Sequence, residues 1–154
     1  MKKDVTRDYT TEVFRTYAAA GAPSYAAARM SVYETELLKR RELEPSLAIE
    51  QAEIATEKQT PYLLDIMAAH KTFELLERGG KAHIIAAVKA VYFVCPRQPL
   101  RRGDTTERVR RFAVACPTDE RTVYRWLKEA RLLCAAIRGL RITEADMGKY
   151  LIAL

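Results

Sequence analysis

The chain has 154 residues, 49% of them hydrophobic and 30% charged, with six glycines and six prolines. That length suits one compact domain, with or without an extension, and the composition excludes disordered, collagen-like and low-complexity classes. The net charge of +6 is unevenly placed: 12 Arg/Lys face 5 Asp/Glu between Arg97 and Arg141, whereas the remainder carries 14 against 15. A neutral body with a basic terminal segment points that segment at a polyanion, with nucleic acid the first candidate.

No apolar run approaches the roughly 20 residues that cross a bilayer, and the start, MKKDVTRDYTTEVF, lacks the apolar core of a signal peptide. A cytoplasmic protein with no membrane partner is expected. Cys95, Cys116 and Cys134 cannot all pair and form no CxxC motif. They are expected to be three buried, reduced thiols.

Helical periodicity runs through the chain and strand alternation is nearly absent, so the expected fold is all-α, a helical bundle. Tyr9, Val13, Phe14 and Tyr17 share a face of a first helix that stops at Gly21-Ala22-Pro23. Ser24 can cap a second, running through Ala28, Met30, Tyr33 and Leu37 toward Pro45. A third runs from Ser46 through Ala48, Ile49, Ala52 and Ile54. Thr60 as N-cap and Pro61 as first residue open a fourth, with Leu63, Ile66, Phe73 and Leu76, ending at Gly79-Gly80. Ile84, Ile85, Val88, Val91 and Tyr92 mark a fifth.

PRQPLRRGD, residues 96–104, reads as a loop. Asp104 or Thr105 can cap a sixth helix, TTERVRRFAVAC, which Pro117 closes. Thr118 then starts a seventh that continues to Ile137, and an eighth from Thr143 to Leu154 is expected to pack back on the body. The resulting division is 1–80 as an oligomerisation or partner-binding region, 81–141 as a basic module and 142–154 as a packing helix.

Little in the sequence supports catalysis. His70 and Glu74 have the i, i+4 spacing of two ligands on one helix face, but no third ligand accompanies them, so neither a metal nor another cofactor is expected. No GxSxG elbow, phosphate loop or HExxH motif is present. Glu34, Glu36, Glu50, Glu53 and Glu57 read as solvated faces paired with lysines and arginines. An enzyme is therefore not expected.

The basic segment offers a different chemistry. In TDERTVYRWLKEAR, residues 118–131, the residues Val123, Trp126, Leu127 and Ala130 follow the rhythm of a buried seam. Arg121, Thr122, Arg125 and Lys128 are left to project on the other side. Arginine can bond guanine or phosphate in a bidentate fork, threonine can touch a base edge, and lysine neutralises backbone charge. Tyr124 can add a base contact. Arg101, Arg102, Arg108 and Arg111, from the loop and the sixth helix, can hold phosphates beside the groove.

The run TDERTVYRWLKEARLL resembles recognition helices of the helix-turn-helix class, and its EARLL resembles the end of region four of bacterial sigma factors and sigma-like phage regulators. The resemblance covers about 55 residues, from Lys81 to Gly139. It implies Thr118 as the cap, Val123 as the buried post, Arg121, Thr122, Arg125 and Lys128 facing the groove, TTERVRRFAVAC as the supporting helix and IIAAVKAVYFV packed across both. Two departures stand out: Cys116-Pro117 occupies a turn that normally carries a small residue, and the loop before the sixth helix is long and proline-rich.

Together these readings imply a sequence-specific, double-stranded-DNA-binding transcriptional regulator of phage or mobile-element origin. Its amino-terminal helices would form a homodimer or contact RNA polymerase. The competing expectations are a small terminase-like DNA-packaging subunit and a protein-interaction bundle with no nucleic-acid role.

Overall fold

The computed structural model describes residues 4–140, and every secondary-structure element among them is an α-helix. In chain order they are α1 (Val5–Ala19), α2 (Tyr25–Lys39), α3 (Pro45–Glu57), α4 (Thr60–Arg78), α5 (Ala82–Tyr92), α6 (Asp104–Ala115) and α7 (Glu120–Arg138). No described helix is long and apolar enough to cross a membrane. The helix expected over 143–154 lies outside the described residues.

The helix starts follow cap chemistry, with some reassignment. Ser24 caps α2 as expected, its hydroxyl accepting from the Ala27 N–H at 3.2 Å. Thr60 does not cap α4: it lies inside the helix, donating its hydroxyl to the Glu57 carbonyl at 2.6 Å, and Gln59 occupies the cap. Asp104 and Thr105 also fall inside their helix. Gly103 holds the cap of α6 at φ 90°, a conformation that only glycine adopts without strain. Asp104 instead accepts from the Arg101 N–H at 2.8 Å, folding the loop back onto the helix start.

One continuous core joins α1, α2, α4, α5, α6 and α7. Phe14 stacks on Tyr92 at 6.1 Å between centroids, Tyr17 stacks on Phe73 at 5.6 Å, and Phe73 meets Phe93 edge-on at 5.6 Å, so aromatic rings fill the joint of α1, α4 and α5. Helix α7 packs against α1, α4, α5 and α6. The core therefore runs across residue 80, where the Gly79-Gly80 turn links α4 to α5.

Arg15 shows how tightly α1 and the later loop are joined. Its side chain is buried at 2% exposure. The guanidinium donates to the carbonyls of Tyr92 at 3.1 Å, Val94 at 3.3 Å, Cys95 at 2.8 Å and Gln98. Carbonyls at the end of α5 lie at the negative end of its dipole, which suits a buried cation with no carboxylate partner among the described residues. Arg15 thereby fixes the path of residues 92–98.

Helix α3 stands apart. It contributes nothing to the common core and packs on α2 through Ala48, Ala52 and Thr56. Ile49 and Ile54, expected on the same seam as the alanines, are exposed. The spacing explains this: Ala48, Ala52 and Thr56 repeat every four residues, whereas Ile54 is rotated by about 160° from the centre of that line and Ile49 by about 60°, at its edge.

The three cysteines are not alike. Cys134 is buried, Cys116 half-buried and Cys95 exposed, because Cys95 lies in the turn after α5 at φ 45° rather than on a packed helix face. Burial pushes the Cys134 thiol up to about 12. Glu36 also departs from expectation: it is buried rather than part of a solvated face, with Arg40 at 2.8 Å and Lys39 at 3.3 Å. The hydrogen bond from Arg40 holds its carboxyl below the usual range.

Candidate nucleic-acid interface

Helices α5, α6 and α7 pack against one another in pairs. Val109, Ala113, Val123 and Leu127 are buried between them. Trp126 bridges the three helices, with its ring 4.7 Å from His83 on α5 and 6.5 Å from Phe112 on α6. It is a packing residue, as its place on the apolar seam suggested.

The turn joining α6 to α7 is made without a left-handed residue. Cys116, at φ −111° and ψ 86°, has left the α region that a following proline disfavours, and its N–H bonds the Phe112 carbonyl at 2.8 Å. The Thr118 N–H then reaches back to the Ala113 carbonyl at 3.1 Å. Thr118 is thus spent on closing α6, and the cap of α7 passes to Asp119, which accepts from the Thr122 N–H at 2.7 Å. That bond, with help from Arg121 and Arg125 nearby, holds the Asp119 carboxyl below its ordinary value. An ion pair of 3.7 Å between Arg110 and Glu120 fastens the two helices at the same corner.

The first half of α7 leaves one face open. Arg121, Tyr124, Arg125 and Lys128 are all exposed. They stand at i, i+3, i+4 and i+7, a single stripe roughly 10 Å long. Among the described residues, Arg121, Arg125 and Lys128 have no hydrogen-bonding or ion-pair partner. Thr122 is not on this stripe. It is half-buried, and its N–H is held by the Asp119 cap.

The arginines outside α7 divide. Arg101 and Arg102 are exposed in the loop before α6. Arg111, also exposed, donates to Glu107 at 3.2 Å. Arg108 is turned inward: its side chain is 15% exposed, bonds the Val91 carbonyl at 3.1 Å and lies 3.9 Å from Asp104. It serves the end of α5 and is poorly placed to hold a phosphate. Arg101 and Arg102 stand at the start of α6, roughly 18 Å along its axis from the turn to α7, so they form a second basic point rather than an extension of the stripe.

The last half of α7 carries cations too, but they are committed. Arg131 donates to the Tyr92 hydroxyl at 2.7 Å, and Arg138 donates to Asp65 at 2.7 Å, where Tyr9 also donates at 2.7 Å. His70, raised above as half of a metal pair, has Nδ1 at 2.9 Å from the Tyr17 hydroxyl and Nε2 at 3.3 Å from Glu74. Among the described residues no group of three His, Cys, Asp or Glu side chains could hold a metal ion.

Sequence reasoning did not single out Arg110, which ties the corner of α6 and α7, or Val114, exposed at 77% one turn further along α6. The i, i+4 step from Arg110 to Val114, off the Val109/Ala113 line, was the available signal for both. No protein-family model matches the chain, and neither does any curated protein sequence or solved structure.

Proposed function

We propose that the protein binds double-stranded DNA through α6, the following turn and α7, in the manner of a helix-turn-helix module. The observation that carries this reading is the unpartnered stripe of Arg121, Tyr124, Arg125 and Lys128 on the first half of α7. Cations held by internal carboxylates have little to offer a phosphate, whereas these can release counterions from the duplex on binding. A helix of this width enters the major groove, about 12 Å across, and its amino-terminal turns are the ones that reach base edges.

In this reading Arg121 and Arg125 contact bases or phosphate in bidentate fashion, Tyr124 touches a base edge, and Lys128 meets the backbone. Arg101 and Arg102 anchor phosphates at a distance from the groove, and Arg111 joins them by exchanging Glu107 for phosphate. Thr118, Thr122 and Arg108 act by shaping the wedge. The role of a sigma-like transcriptional regulator from a phage or mobile element, acting in the cytoplasm with RNA polymerase, rests on the resemblance of TDERTVYRWLKEARLL to region four.

The test is titration of the full chain against DNA at several salt concentrations, with bound sequences selected from a random pool. Displacing six to ten counterions should weaken binding by roughly 10³ to 10⁵ between 50 and 200 mM salt. Arg125→Ala should cost about 1 to 3 kcal/mol and relax preference at one base pair, whereas Arg102→Ala should weaken all sequences alike. Absence of binding at low salt would exclude the reading.

A further inference from the structure

Loop 93–103, between α5 and α6, is held at both ends. At its entry the buried Arg15 guanidinium grips the carbonyls of Tyr92, Val94, Cys95 and Gln98, and Arg97 donates to the Ala19 carbonyl at 3.3 Å. At its exit a single residue binds the Arg101 main chain on both sides: the Asp104 carboxylate accepts from its N–H at 2.8 Å, and the Asp104 N–H donates to its carbonyl at 3.1 Å. Gly103, at φ 90° and ψ −11°, supplies the left-handed third position of that turn.

Arg108 lies 3.9 Å from the same carboxylate and bonds the Val91 carbonyl at 3.1 Å, so contacts run from the end of α5 through Arg108 and Asp104 to Arg101. The side chains of Arg101 and Arg102 are exposed and make no hydrogen bond or ion pair among the described residues. Cations open at the head and fixed at the backbone suit a phosphate, because a loop ordered in the free chain loses less conformational freedom on binding. By charge alone, an acid beside them repels a polyanion. The sign of the effect of Asp104 on binding therefore separates a positioning role from simple repulsion.

We propose that Asp104 is a positioning residue for DNA binding, an acid that helps the chain hold a polyanion by fixing Arg101 and Arg102 where they meet phosphate. This role rests on the reading of α6 and α7 as a DNA-binding module. Asp104 itself touches no phosphate. Its charge is offset by Arg108, and what it contributes is the path of the turn that carries the two arginines.

Titration of the full chain against a mixed-sequence DNA duplex at several salt concentrations provides the test. Helical circular dichroism should be kept in every variant, since Asp104 lies outside the core. Asp104→Ala should weaken binding about fivefold or more and lower the salt slope by about 1, the share of one phosphate contact. Asp104→Asn, which keeps an acceptor oxygen and removes the charge, should restore binding to wild-type strength or better. In a chain that already carries Arg101→Ala and Arg102→Ala, Asp104→Ala should weaken binding no further. Three results each overturn the positioning role while leaving α7 as the DNA-binding helix: Asp104→Ala binding as tightly as the wild type or more so, equal losses for Asp104→Ala and Asp104→Asn, or an undiminished loss in the chain without the two arginines. A wild-type chain that binds no duplex at low salt overturns the DNA-binding module and the role of Asp104 together.

Discussion

The two halves of α7 carry similar residues and have different fates. Lys128 and Ala135 are seven residues apart and so share a face of the helix, yet Lys128 is exposed and Ala135 fully buried. Likewise Arg121 and Arg125 make no hydrogen bond or ion pair among the described residues, whereas Arg131 and Arg138 are tied to Tyr92 and Asp65. The difference arises because the second half passes under α1 and α4 while the first projects beyond them beside α6. Positive charge is therefore available to a ligand only where packing has not claimed it.

The largest expected effect concerns thiol reactivity. Cys134 lies on the committed half, buried and with its thiol raised to about 12, whereas Cys95 is exposed. A thiol reagent at neutral pH should modify Cys95 promptly and Cys134 slower by about a thousandfold or more, since Cys134 must wait for the helix to open. Comparable rates would mean that the second half of α7 is not held as described.

A charge placed on the shared face separates the halves directly. Ala135→Glu should destabilise by about 3 kcal/mol or more in urea unfolding, because a carboxylate would be buried without a partner. Lys128→Glu should change stability by no more than about 0.5 kcal/mol while weakening DNA binding.

Smaller effects follow at the ends. Arg138→Ala should cost about 1 to 2 kcal/mol by removing a charged hydrogen bond from the half-buried Asp65, and Arg125→Ala should leave stability nearly unchanged. Asp119→Ala should lower stability through loss of the cap, by less than Arg138→Ala does. The Asp119 carboxyl is lowered in the folded chain, so its contribution is full above the ordinary aspartate range and declines as pH falls through the lowered value. Acid titration of the wild type and Asp119→Ala should thus converge at low pH; a gap independent of pH would assign the loss to something other than the carboxylate.

Helix existence was legible because apolar spacing and turn residues act locally. Ser24, the glycine stops and the Val123/Leu127 seam all appear where their side chains dictate. Cap assignments were less so. Thr118 and Asp119 are both good cap residues, and the choice fell to Asp119 because the Thr118 N–H bonds back to Ala113, a contact set by how α6 ends. Thr122 was placed with the exposed cations on chemistry, although helical geometry separates it from the Arg121, Tyr124, Arg125, Lys128 stripe. Cys95 and Ile54 misled for the same reason: apolar character does not say whether a neighbour is present.

By itself the sequence determined that the chain is helical, where most helices stop, and that excess positive charge is concentrated after residue 96, since periodicity, turn chemistry and charge are properties of neighbouring residues. Only the tertiary structure decided which cations remain available. Arg15, Arg108, Arg131 and Arg138 look no different in sequence from Arg121 and Arg125. Carbonyls, a hydroxyl and a carboxylate brought from distant segments claim the first four, and the packing of α7 beyond α1 and α4 leaves the last two open.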